Sequence, residues 1–192
     1  MGLPPEALRD LEWLRDDFTT LVATASPSDL DAPSHGTRWT NRELLFHMWF
    51  GQRIARVFVP LIGAFRRLPD PAQRAWARLL TATTRPYSWV NYIGAVGGAR
   101  VLGIGFARQM MDADTAWLLR WAEHASPQDL ARGMHVPLSW DPYFTDWMDR
   151  ADVLAWALKH YRHHRAQLSL SRLGVAQPPS DAGGSATPGP SR

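Results

Sequence analysis

Apolar residues recur every three to four positions along most of this chain, so it must fold as helices that each bury one face. Leu8, Leu11, Leu14, Phe18, Leu21 and Val22 make the first stripe. It predicts a helix from about Pro5 to Ala25, with Glu6 and Asp10 favourably placed in the opening turns. Ser26-Pro27-Ser28 stops it, and a polar loop is expected as far as Arg38. Thr40-Asn41-Arg42-Glu43 reads as a capping box: the Thr40 hydroxyl takes the Glu43 amide and the Glu43 carboxylate reaches back. The helix it opens carries Leu44, Leu45, Met48, Ile54, Val57 and Phe58, with Pro60 near its end.

A third long helix is predicted from about Phe106 to Ala125, with Met110, Ala113, Trp117, Leu118 and Trp121 inward. Residues 127–147 read as irregular, with a short extended piece around Met134 to Leu138. Asp149 caps the fourth helix, and Met148 and Val153 occupy staple positions. That helix is expected to reach about Leu173, with Gly174 just past its end. Residues 1–175 therefore read as one domain, and the Pro/Gly/Ser-rich residues 176–192 as a disordered tail.

Between the second and third helices the pattern is weaker. Pro71 to Ala82 predicts a short helix with Trp76, Leu79 and Leu80 inward. The stretch from Trp89 to Phe106 is apolar and glycine-rich, and Gly94 and Gly98 have the spacing that lets helices approach closely. Asn91 and Arg100 interrupt it, so a packed helical segment or a pocket lid is favoured over a membrane span.

Composition narrows the function. The chain has no cysteine, so any metal site must use His, Asp or Glu, and a thiol nucleophile must come from outside. Net charge is +3, and the basic residues are interleaved with acidic ones rather than gathered in a stripe, which disfavours nucleic acid as a partner. The residues after Met1 show no basic and apolar leader, which predicts a cytoplasmic protein. Ten tryptophans suit a bundle core or an apolar pocket wall.

His160 and His164 leave one face of the last helix a turn apart, a spacing that lets both rings meet one metal ion. Such a pair is also common on a solvated helix end. His47 sits on the apolar side of the second helix among Phe46, Met48 and Trp49, where a lone histidine would ordinarily bond a carbonyl. In a bundle, facing inward positions are also how metal ligands are supplied. His163 points to one side, Glu43 is explained by capping, and Asp152 by the helix N-terminus. His35, His124 and His135 read as ordinary.

Trp39-Thr40-x-x-Glu43-Leu44-Leu45-x-His47-Met48, followed far along the chain by His160-x-x-His163-His164-Arg165-x-Gln167-Leu168, resembles the DinB/YfiT-like family. The resemblance covers about Pro5 to Gly174 and implies an all-α four-helix bundle, here with a long helical and glycine-rich insertion between helices two and three. It implies that His47, His160 and His164 hold a divalent metal, zinc before nickel, and that two chains can pair. Three imidazoles leave an open position, as catalytic sites do. That position could acidify a water for hydrolysis or hold a thiol.

The family includes bacillithiol- and mycothiol-dependent transferases and isomerases, which favours a low-molecular-weight thiol attacking a small-molecule electrophile. The arginine bias, with Lys159 the only lysine, fits mycothiol. No protein group is then required for catalysis beyond the ligands of that thiolate or water. Trp156 and Gly51 are expected to line the pocket, and Arg53 or Arg165 to steady an anionic group. A non-catalytic bundle that binds a metal or small ligand is the alternative.

Overall fold

The computed structural model describes residues 3–65 and 67–171. The expected tail 176–192 and Gly174 lie outside the described residues. Four long helices form the bundle: α1 (Pro5–Thr24), α3 (Asn41–Phe65), α6 (Gly103–His124) and α8 (Arg150–Arg165). α3 and α1 each pack against both α6 and α8, which closes a ring of four. The short helix α2 (Pro27–Asp31) interrupts the loop expected before Arg38, because Ser26 and Asp29 cap each other across its first turn. The insertion supplies α4 (Asp70–Ala82) and α5 (Thr84–Val101). A four-residue helix α7 (Pro127–Leu130) and an antiparallel pair, β1 (Gly133–His135) and β2 (Trp147–Asp149), connect α6 to α8.

The capping boxes set the starts of α3 and α8. Glu43 N–H reaches the Thr40 hydroxyl at 3.3 Å while Thr40 N–H reaches Glu43 Oε2 at 3.0 Å. Asp149 and Asp152 do the same at α8, and Met148 and Val153 are both buried beside them. α3 runs through Pro60 to Phe65. Proline there removes only the amide that would have bonded the Arg56 carbonyl.

α8 stops at Arg165, about two turns before the expected end. Competing hydrogen bonds explain this. Buried Asn41 takes the Ser169 amide at 3.0 Å and donates to the Ser169 hydroxyl at 2.9 Å. The His35 amide bonds the Gln167 carbonyl at 2.7 Å. These bonds pull the chain across the start of α3.

α6 presents a face rotated from the expected one. Ala113 is exposed, whereas Asp114 and Thr115 are fully buried. Asp114 accepts from Trp49 Nε1 at 3.1 Å and pairs with Arg53 at 3.0 Å and Arg56 at 2.7 Å. Apolar periodicity could not register a carboxylate that is stable inside only because three partners on α3 meet it. In α4, Gln73 and Ala77 face inward while Trp76 and Leu79 are exposed, since α4 lies against β1 and α5 rather than against the bundle.

The glycine-rich stretch is helical through α5, breaks at Gly103 with φ of +77°, and continues into α6 at 110°. No single described helix is long and apolar enough to cross a membrane, although α5 and α6 together meet that test by composition. Gly98 accounts for the close approach: a Cβ there would collide with the Phe46 ring of α3, whereas one at Gly94 would meet nothing.

Truncating Asp114 to alanine leaves Arg53 and Arg56 facing an apolar interior. Because both arginines keep about a third of their surface in water, the expected loss is roughly 2–4 kcal/mol in urea unfolding. A loss below about 1 kcal/mol would show that Asp114 does not hold α6 to α3.

Candidate metal centre

Two apolar clusters fill the bundle, and the histidines lie where they meet. On α3, Leu44, Leu45 and Met48 belong to one cluster and Ala55, Val59 and Ile62 to the other. Gly51 falls between these two groups, and His47 lies within the first, beside Met48. On α8, Ala157 and Tyr161 divide in the same way on either side of His160. The capped α3 start fixes where His47 projects, and the α8 cap fixes His160 and His164.

His47, His160 and His164 converge, with one ring nitrogen from each lying within 4.8 Å of the others. His47 Nε2 and His164 Nε2 are 3.2 Å apart. Two imidazoles on one tetrahedral ion place their nitrogens about 3.3 Å apart, given metal–nitrogen bonds near 2.0–2.1 Å. His164 Nδ1 lies 2.7 Å from Gln167 Oε1. With that oxygen accepting, Nδ1 holds the proton and Nε2 turns its lone pair toward the other rings. His47 Nδ1 is buried without a partner, as is Asn91 Oδ1, although the Asn91 side chain lies close enough to oppose acidification of the ring.

Burial keeps all three rings neutral. It lowers His47 to about 3, helped by repulsion from His164. It pushes His160 well below its usual value, with the three neighbouring histidines adding to the effect. It lowers His164 to about 4, against the opposing Gln167 bond. Neutral imidazoles are what a metal requires.

Aromatic rings enclose the group. Trp39 lies over His47 at 4.6 Å between centroids, and Trp156 lies 5.3 Å from His160. A cavity of about 190 Å³ opens onto the histidines, lined also by Trp39, Gly51, Tyr87, Asn91, Trp140, Asp141 and Trp156. Burial raises the Asp141 carboxyl above its usual value, partly offset by the Tyr143 amide and Trp156.

The structure therefore brings Gly51 and Trp156 to the histidines. Arg53 and Arg165 do not line the cavity: Arg53 pairs with Asp114, and Arg165 with Asp17 at 2.6 Å. His163 turns away to Tyr143, 3.1 Å from its hydroxyl. His135 is buried between Asp70 and Asp146. Gln167 was visible in the sequence motif but without a role. Asn91, Trp140 and Asp141 gave no signal, because they arrive from the insertion and from the β1–β2 connection.

The arrangement defines a helical-bundle protein with a three-histidine group that can hold a metal ion. A sequence model of the DinB superfamily matches residues 10–168, and the chain belongs to that superfamily. Comparison with curated proteins and with solved structures finds no match.

Two measurements follow from this geometry. A Cβ on Gly51 would lie 2.5 Å from His160 Nδ1 and Cε1, so Gly51→Ala displaces the ring. Metal affinity should fall about 10- to 100-fold, read by competition with a chromophoric chelator, and an unchanged affinity would contradict the site. The metal-free protein should lose stability in acid. The rings stay neutral when folded but protonate near 6.5 when unfolded, so stability falls as pH drops from about 6.5 toward the folded values. At pH 5 each buried ring costs roughly 2 kcal/mol, and His160→Gln should flatten the fall in Tm between pH 7.5 and 5. Parallel curves for parent and variant would contradict it.

Proposed function

We propose that this protein is a divalent-metal-dependent transferase, with zinc as the metal, that activates a low-molecular-weight thiol for attack on a small electrophile. One observation carries the reading: three neutral imidazoles, two buried and His164 half-buried, converge beside an aromatic cavity, with no fourth His, Cys, Asp or Glu in the group among the described residues. A structural site would be closed by a fourth protein ligand. With no cysteine in the chain, the thiol must be a co-substrate, and mycothiol or bacillithiol fits the superfamily.

The bound metal would make a thiol acidic enough to be a thiolate near neutral pH. The chain's own residues do the rest. Gln167 holds the His164 tautomer, and Gly51 leaves room for the His160 ring. Trp39 and Trp156 keep water from the ligand rings. Asp141 accepts the Tyr143 amide at Oδ1 and lies beside Trp156, and its carboxyl, raised by burial, can take a proton released in the cavity.

Elemental analysis of untagged protein should give about one zinc per chain, and little in the His160→Ala, His164→Ala double variant. Monochlorobimane should then be consumed by zinc-loaded parent only when mycothiol or bacillithiol is present, at least about 100-fold faster than by the double variant. Equal consumption with and without thiol would overturn the transferase reading, and ester hydrolysis without thiol would favour a bound-water hydrolase.

A further inference from the structure

Asn91 breaks the apolar run of α5, and its place in the fold gives a reason for it. One turn earlier, Tyr87 lines the histidine cavity and stacks on Trp140 at 4.1 Å; one turn later, Ala95 is buried. The next residue, Tyr92, stacks on Trp39 at 6.2 Å, and Trp39 itself lies over His47. These contacts hold Asn91 in the cavity wall that His47 also forms.

Two atoms of that wall complement each other. His47 Nδ1 and Asn91 Oδ1 are both buried without a hydrogen-bond partner, a rare condition. Trp39 and Trp156 also leave an indole N–H unpaired there, but those groups only donate and cannot accept from the ring. One other buried side-chain oxygen among the described residues lacks a partner, Gln73 Oε1 on α4, and it does not line the cavity. The Asn91 side chain lies close enough to His47 to oppose its loss of basicity on burial.

The single proton of the neutral His47 ring has two positions. His164 Nδ1 is protonated against Gln167 Oε1, so His164 Nε2 carries a lone pair. With no cation between the rings, His47 Nε2 donates to that lone pair across 3.2 Å and Nδ1 is bare. A cation needs the lone pairs of both Nε2 atoms, and His47 must then carry its proton on Nδ1. The ring is neutral in both forms, but the second presents a buried N–H that needs an acceptor. An amide has a donor and an acceptor, so Asn91 can turn its NH2 to the bare nitrogen or its oxygen to the N–H.

We propose that Asn91 is a positioning residue of the metal centre: its Oδ1 accepts from His47 Nδ1–H and so favours the tautomer in which His47 Nε2 can hold a cation. Asn91 would then do for His47 what Gln167 does for His164. The insertion helix α5 thereby supports a ligand set drawn wholly from α3 and α8. This inference rests on the metal-binding part of the proposed function and not on its thiol chemistry.

The test is zinc affinity of the full chain by chelator competition, beside nitrogen NMR of the histidine rings. Asn91→Leu removes both amide groups and should weaken zinc binding about 10- to 100-fold, the usual effect of losing a ligand's hydrogen-bond partner. Asn91→Asp keeps an acceptor at the same place and should bind zinc at least as tightly as parent. A merely structural asparagine would weaken both variants alike. In the spectra, zinc should move the His47 proton of the parent from Nε2 to Nδ1, which decides the tautomer without any variant. Unchanged affinity in Asn91→Leu, equal losses in the two variants, or a His47 proton that stays on Nε2 in zinc-loaded parent overturns the proposal. Parent that takes up no zinc refutes the metal reading and this one together. Parent that shows the Asn91 effect but no thiol-dependent consumption refutes the transferase alone.

Discussion

Three imidazole rings that must stay uncharged share one point between α3 and α8, and the packing around them follows from that demand. A histidine in water protonates near neutral pH, so a neutral cluster needs its charged form made expensive. Burial does this for His47, His160 and His164, and each ring's nearness to the others adds to it. The apolar clusters on either side and the tryptophans over the rings are the means. A site that keeps three lone pairs available in this way is ready for a cation before one arrives.

The bundle's charged residues are handled quite differently. Asp114 and Asp17 are buried carboxylates, and each is matched to partners on a neighbouring helix. Asp114 joins α6 to α3 through Arg53, Arg56 and Trp49. Asp17 joins α1 to α8 through the Tyr161 hydroxyl at 2.7 Å and Arg165. These pairs fix how the helices sit against one another and so hold the histidines in register. They also occupy Arg53, Arg56 and Arg165.

The histidines come from the bundle, and much of the wall around them comes from its connections. α5 contributes Tyr87, Asn91 and Tyr92, and the stretch between β1 and β2 contributes Trp140 and Asp141. Insertions are tolerated where they run over a surface, and here the surface is the mouth of the site. The lining of the cavity can thus change with the insertion while the three histidines stay where they are.

What the sequence determined by itself was local. The capping boxes at Thr40 and Asp149, the apolar stripe of α1 and the one-turn spacing of His160 and His164 depend on residues within a few positions of one another, and these appear as read. Membership of the DinB superfamily was legible from the two motifs around His47 and His164. Only the tertiary structure decided the end of α8, the face of α6 and the walls of the cavity. α8 yields at Arg165 to hydrogen bonds from Asn41, over a hundred positions away in the chain. α6 turns inward on a carboxylate whose partners lie on another helix. Asn91 and Asp141 reach the histidines from segments with no helical register to them. Periodicity reports which face of an element avoids water, whereas hydrogen bonds and ion pairs between distant residues decide which atoms actually meet there.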